Sequence, residues 1–239
     1  MNHEKLSKRL ERVATYIPAG SILADIGSDH AYLPCYAILN GLAVSSIAGE
    51  VAEGPYLSAK KQVSKTGLSD KILVRKGDGL DVLSADEATC ISIAGMGGTL
   101  IAAILERGKN KLGAVKRLIL QPNVGVNNVR KWLIDNEWQL TAEEILEDDG
   151  KVYEILIAEP GNPMAPYSEH PESEIFLGPF LKKEKNAIFI KKWTMEKQHW
   201  ESIVTQLEKN AASTDILQKK QQLMDQIKMV EEAIQHEGT

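Results

Sequence analysis

The chain has 239 residues, 43% of them hydrophobic and 26% charged, with a formal net charge of −5. That length exceeds what one small core needs, so a domain of ordinary size with a smaller appendage is expected. The acidic balance argues against polyanion binding over the whole surface, and no apolar run reaches the length of a membrane span.

The N-terminal M-N-H-E-K-L-S-K-R-L lacks the apolar core of a signal peptide, so a cytoplasmic protein without membrane attachment is expected. Residues 4 to 16 carry Leu6, Leu10, Val13 and Ile17 at helical spacing, and Lys5, Lys8, Arg9 and Arg12 fall on another side of that helix. Such a stripe is either a solvated face or a local basic surface on an acidic protein. Ser21 to Asp25 reads as the first strand, ending in D-I-G, and Ala31 to Asn40 as the helix after it. Val44 to Gly49 is a second strand, ending in Glu50. Gly54 to Thr66 is a helix, with Pro55 near its start and Gly67 past its end. Ile72 to Arg75 is a third strand, followed by Gly77-Asp78-Gly79. Cys90 to Ala94 is a fourth, running into Gly95-Met96-Gly97-Gly98 and a helix from Thr99 to Arg107. Leu118 to Gln121 is a fifth, ending in Pro122-Asn123 before a helix from about Val126 to Asn136. Cys35 and Cys90 sit in apolar segments, which suits buried thiols better than a disulfide or metal ligands; no metal is expected.

The alternation then changes. Gln139 to Leu146 and Val152 to Ala158 are strand-like runs joined through Asp149-Gly150, a strong hairpin signal. Five strands alternating with helices and closed by an antiparallel hairpin define an α/β fold with a Rossmann-like methyltransferase sheet. The stretch from Glu159 to Glu172 holds four prolines and reads as a linker. The expected division is a catalytic domain over 1–160, a linker over 161–172 and a helical, coiled-coil-like domain over 173–239. In the last, Phe189, Trp193, Trp200, Ile203 and Leu207 form one apolar stripe and Ile216, Leu223, Ile227, Val230 and Ile234 a second. Ala212-Ser213-Thr214-Asp215 between them supplies capping residues, and an antiparallel helical hairpin is the simplest arrangement.

The acids at the ends of the first three strands carry the chemical expectation. Gly27 lets a turn pass close to a ligand, Glu50 accepts both hydroxyls of a ribose, and Asp78 accepts from the exocyclic amine of an adenine. Each acid alone is as well explained as a cap or turn former. Together they fit a ligand with ribose and adenine but no pyrophosphate, such as S-adenosylmethionine. A nicotinamide dehydrogenase is disfavoured, because G-x-G-x-x-G does not follow the first strand.

The motifs D-I-G-S-D-H-A-Y-L-P, A-G-E, G-D-G-L, A-G-M-G-G and L-Q-P-N, in this order and followed by a proline-rich linker and a helical tail, closely resemble bacterial tRNA adenine-N1 methyltransferases acting on position 22 of tRNA. The resemblance covers nearly the whole chain. It implies a class I methyltransferase domain, S-adenosylmethionine as methyl donor and tRNA as substrate. It also implies cofactor contacts at Asp25, Gly27, Glu50, Asp78 and Gly79.

Two departures from methyltransferases at large matter. The usual glycine-rich loop is replaced by Gly27, Asp29 and Ala31, so Asp29 and His30 face the methionine end of the cofactor. There Asp29 either accepts from the cofactor's ammonium group or caps the following helix, and His30 either contacts the cofactor or simply packs. The fourth strand ends in Ala94-Gly95-Met96-Gly97-Gly98 rather than in an N-P-P-Y-like motif. That suits N1 of adenine, whose in-plane lone pair needs alignment and an acceptor for the N6 amine rather than a general base. Gly95, Met96 and Asn123 are therefore the candidates at the reacting base, with Ala94 beside the cofactor and Tyr32 ranked below Asn123.

A target base that is paired or stacked must be drawn out, which demands backbone contacts. Lys5, Lys8, Arg9 and Arg12 are one candidate RNA surface, and Lys182, Lys183, Lys185, Lys191 and Lys192 at the base of the helical arm another. A monomer is expected. The sequence leaves open a methyltransferase for a small molecule or protein, and a non-catalytic RNA-binding or assembly protein on the same scaffold.

Overall fold

The computed structural model describes residues 5–208 and 214–235. It forms two compact units, Met1–Pro166 and Tyr167–Thr239. The first holds strands β1 (Ser21–Ile26), β2 (Ala43–Glu50), β3 (Ile72–Lys76), β4 (Cys90–Gly97), β5 (Arg117–Val124), β6 (Trp138–Asp148) and β7 (Lys151–Pro160). Between them run α1 (Lys8–Thr15), α2 (Tyr32–Leu39), α3 (Glu53–Lys65), α4 (Gly98–Arg107) and α5 (Val126–Asp135).

The sheet order is β3-β2-β1-β4-β5-β7-β6, with β7 antiparallel to β5 and to β6 and the other pairings parallel. Central parallel strands are covered on both faces and read as continuous apolar runs, as do Leu23, Ala24, Ile26, Ile91 and Ile93, all buried. Strand order reverses between β1 and β4, which opens a crevice at their carboxyl ends. The hairpin turn is as the sequence requires: Asp149 and Gly150 both have positive φ, the type I′ geometry.

Three expectations change. The first helix is shorter than residues 4 to 16, because Ser7 caps it, its hydroxyl accepting from the Leu10 N–H at 3.3 Å; Lys5 lies before the helix. Strands β4 and β5 run past Ala94 and Gln121, through two bulges described below. Ahead of the long helices lie two short ones, α6 (Glu172–Leu177) and α7 (Pro179–Glu184), parted by Gly178 at φ 95°.

The second unit then continues with α8 (Ala187–Glu208) and α9 (Thr214–Ile234), each rising about 30 Å at 1.5 Å per residue. Lys197 pairs with Glu231 at 2.9 Å and Lys220 with Glu208 at 2.7 Å, the crossing pattern of antiparallel helices. Trp193 packs among Phe176, Phe189 and Trp200, with ring centroids 5.2 to 6.2 Å apart. Ala212 and Ser213 of the expected cap lie outside the described residues.

The closing hairpin is tied to the helical layer by a buried charge cluster. Arg130 on α5 is fully buried and donates to Glu143 of β6 at 2.7 Å and to Glu154 of β7 at 2.6 Å. Removing one partner of such a cluster strands the others in low dielectric. Arg130→Ala is therefore expected to destabilise the first unit by about 3–5 kcal/mol, measured by urea unfolding. A loss under about 1 kcal/mol would contradict this role.

Candidate active site

The crevice between β1 and β4 is a cleft of about 240 Å³. One wall is Asp25, Gly27, Ser28 and Asp29, and the other is Ala94, Gly95 and Met96; Arg9, Leu10 and Leu33 line it from the helical side. The two walls are tied together beneath by Asp25. Its carboxylate is buried and accepts from Ser28 Oγ and from Ser92 Oγ of β4, both at 2.6 Å. Burial pushes Asp25 above the usual carboxylate range, with the two hydroxyls opposing the shift. Above it, Gly27 has φ 71°, and a Cβ there would lie 2.2 Å from Met96 Cε. The walls approach this closely because position 27 has no side chain.

The loop that follows is unusual backbone. Asp29, His30 and Ala31 have φ of 38°, 67° and 54°, three successive left-handed non-glycine residues. Ala31, not Asp29, is the N-cap of α2, and no side chain caps that end. The Asp29 carboxylate is thus not spent on the helix. The Asp29 N–H donates to Glu50 Oε1 at 2.5 Å, which holds the loop against the end of β2. The His30 ring stacks on Tyr32 with centroids 5.3 Å apart and lies 3.5 Å from the Asp29 carboxylate, outside the lining of the cleft.

Glu50 and Asp78 stand at the next two strand ends, so all three acids share one sheet edge. Glu50 is buried, which pushes its carboxyl upward, and among the described residues the Asp29 N–H donates to one of its oxygens, Oε1. Asp78 is exposed and takes both Nη atoms of Arg107, at 2.7 and 3.1 Å, which holds it below the usual carboxylate range. Gly79 has φ 57° and packs on Ile104.

On the other wall two bulges face each other. Ala94 pairs with Gln121 and Met96 with Pro122, so Gly95 is an extra residue on β4, at φ 81°. Gly97 then pairs with Val124, leaving Asn123 extra on β5. Bulges beside a site re-aim side chains. Here Asn123 Nδ2 donates to the Gly95 carbonyl at 2.8 Å, and the buried Gln121 accepts from the Gly95 N–H at 3.0 Å. Both polar groups of Gly95 are therefore held by side chains of β5. The amide oxygen of Asn123 in turn accepts from Gln121 Nε2 at 3.2 Å.

The basic residues are distributed differently from a uniform stripe. The Arg9 guanidinium bonds Gln121 Oε1 and lies 5.4 Å from the Tyr153 ring centroid, while its backbone N–H donates to Asp148. Arg12 is paired with Glu144 at 2.7 Å, and Lys8 donates to the Glu147 carbonyl at 2.9 Å. Lys5 is exposed. The residues that sequence reasoning passed over are Ser28, Ser92, Arg107 and Gln121. Gln121 and Ser92 carried a signal, each a polar side chain inside an apolar strand. Both cysteines are buried, and burial pushes the Cys90 thiol up to about 12. Among the described residues no group of His, Cys, Asp and Glu is placed to hold a metal, and no helix is long and apolar enough to cross a membrane.

A Rossmann-like sheet with an inserted antiparallel strand and acids along its switch-point edge defines the class I methyltransferase fold. The family model for tRNA (adenine(22)-N(1))-methyltransferase matches residues 23–232, and the chain belongs to that family. A Bacillus subtilis (strain 168) tRNA (adenine(22)-N(1))-methyltransferase is 54% identical over 237 residues, 99% of this chain and all of that one. The crystal structure of the B. subtilis enzyme superposes with a TM-score of 0.93 at 53% identity, covering 97% of this chain and 99% of that one. A Streptococcus pneumoniae relative solved in complex with S-adenosyl-L-methionine superposes at 0.86 with 44% identity, covering 97% of this chain and 100% of that one.

Because Asp25 titrates higher in the folded protein than in the unfolded chain, the native state binds its proton more tightly. Its contribution to stability is fully present below the unfolded value near 3.8 and is lost as pH rises through the folded value. The expected result is that Asp25→Asn gains stability relative to wild type as pH rises from about 4 to about 8, by urea unfolding at each pH. A difference that stays constant over that range would contradict it.

Proposed function

We propose that this protein transfers the methyl group of S-adenosylmethionine to N1 of adenine 22 of tRNA. The observation that carries the proposal is the cleft itself: an acid-lined strand edge on one side meets, at 95–96 and 123, a wall suited to a flat base. When bound, S-adenosylmethionine supplies a methyl on a positively charged sulfur, open to in-line displacement by a ring nitrogen.

The chain's own groups fit that ligand. Gly27 lets the turn lie against Met96 at the edge of the cleft, where a side chain would collide with it. The second oxygen of Glu50 serves the ribose hydroxyls. Asp78, with Gly79 beside it, serves the adenine amine of the cofactor, its carboxylate held in place by Arg107. Ala94 flanks the same cleft. The freed carboxylate of Asp29 serves the ammonium of the methionine moiety, with His30 at the outer rim.

At the reacting base, Gly95 and Met96 form the floor and Asn123 the acceptor. N1 of adenine has a lone pair in the ring plane, so no side chain has to remove a proton first. What the protein contributes is alignment, exclusion of water by Leu10, Leu33 and Met96, and an oxygen for the N6 amine as positive charge develops on the base.

For the tRNA, Lys5 and Lys8 with Arg9 and Arg12 supply one basic surface, and the lysines at 182, 183, 185, 191 and 192 of the helical unit a second. We read the protein as a cytoplasmic monomer with the domain division 1–160, 161–172 and 173–239.

The test is transfer of labelled methyl from S-adenosylmethionine to tRNA. Wild type should label the tRNA and not its A22→G version. Asp78→Ala should need roughly tenfold more cofactor while tRNA affinity stays unchanged. Equal labelling of both tRNAs would overturn the assignment of the target, and loss of tRNA affinity in Asp78→Ala would overturn the placement of the cofactor's adenine.

A further inference from the structure

Amide side chains present two chemically different ends, and which end faces where is decided by partners that have no choice. Gln121 and Asn123 are such a case. The Gly95 backbone N–H and the Arg9 guanidinium can only donate, and both meet the same atom of Gln121, Oε1. The other end of Gln121 is therefore the amine, and it points at Asn123, with Nε2 to Oδ1 at 3.2 Å. Asn123 is then held from both ends, its Oδ1 accepting from Gln121 and its Nδ2 donating at 2.8 Å to the Gly95 carbonyl, which can only accept. Two obligate donors and one obligate acceptor thus set the orientation of the two amides.

Gln121 is fully buried in β5, directly after the apolar run Leu118, Ile119 and Leu120. Burying an amide there is costly unless both ends are satisfied, and here both are. An apolar residue would pack at that position with less demand, so packing alone gives no reason for the amide.

We propose that Gln121, anchored by Arg9, is a positioning residue for methyl transfer: it holds the Asn123 amide with its oxygen presented to the N6 amine of the target adenine. An amide oxygen accepts two hydrogen bonds, and Gln121 takes one of them. Asn123 is exposed beside Gly95 and Met96 of the cleft wall, so the second is open to substrate. As N1 gains the methyl, positive charge spreads to N6, and an oriented acceptor stabilises that charge without reorganisation. A flipped Asn123 would instead present its amine to N6, which repels. This inference rests on the proposed activity and names how the same site is held.

The test compares two tRNAs, one with adenosine at position 22 and one with purine riboside there, which keeps N1 and lacks the N6 amine. The readout is the ratio of kcat on the two substrates, with wild type favouring adenosine. Gln121→Glu still accepts from Gly95 and Arg9 but, when ionised, cannot donate to Asn123. It should shrink the ratio by about tenfold, through slower transfer to the adenosine tRNA, with cofactor affinity near wild type. Gln121→Met should behave alike and serves where the glutamate variant does not fold. Asn123→Ala, at an exposed position, should collapse the ratio to the same extent. Equal slowing on both tRNAs in the Gln121 variants would make Gln121 merely structural and overturn the proposal. An unchanged ratio in Asn123→Ala would overturn it whatever the Gln121 variants do. Wild type that methylates neither tRNA at position 22 would remove the proposed activity and this inference with it, whereas methylation with an unchanged ratio would remove the inference alone.

Discussion

The site depends on one buried carboxylate. Asp25 ends β1 and takes a hydroxyl from the turn above it, Ser28, and another from the neighbouring strand, Ser92. A buried carboxyl is costly unless polar partners meet it, and these two hydroxyls offset part of the burial that raises its pKa. Their effect is geometric as well. They bind the Gly27–Ser28 turn to β4, so the two walls of the cleft are linked through one side chain. Gly27 then permits the approach that the hydrogen bonds impose, since a methyl at that position would collide with Met96.

The opposite wall is built from paired irregularities. An extra residue on β4 at Gly95 and another on β5 at Asn123 cancel, so the sheet resumes at Gly97 and Val124 with its register recovered. The segment between is held out of the ladder by side-chain amides, not by a neighbouring strand. A glycine at positive φ is required for that path, and its N–H and carbonyl would be unpaired there without Gln121 and Asn123. Strain of this kind concentrates where chemistry is done, and the left-handed run at Asp29, His30 and Ala31 on the facing wall is a second instance.

Much of this was legible in the sequence because it is periodic. Buried strands ending in an acid and a glycine announce themselves, and so does Asp-Gly between two alternating runs, which is why the succession of strands, the closing hairpin and the edge carrying Asp25, Glu50 and Asp78 follow from reading alone. What was not legible depends on partners distant in sequence. Arg130 looks like a solvent residue of an amphipathic helix until Glu143 and Glu154 close around it. Arg9 looks like one of a basic stripe, yet its partner Gln121 lies 112 positions away. Bulges leave little trace in hydrophobic pattern, so β4 and β5 seemed to stop where they only kink. Ser7 shortened the first helix because a capping hydroxyl overrides a continuing apolar period.

A fold of this class hosts many methyl acceptors, so the sheet alone does not choose among them. In this family the methyl goes to N1 of adenine, a ring nitrogen whose lone pair is already available. The most direct measurement is nucleoside analysis by mass spectrometry of tRNA incubated with the protein and S-adenosylmethionine, digested under conditions that prevent rearrangement of methyladenosines. The account predicts N1-methyladenosine as the product. N6-methyladenosine, or methyl on any other base, would contradict it.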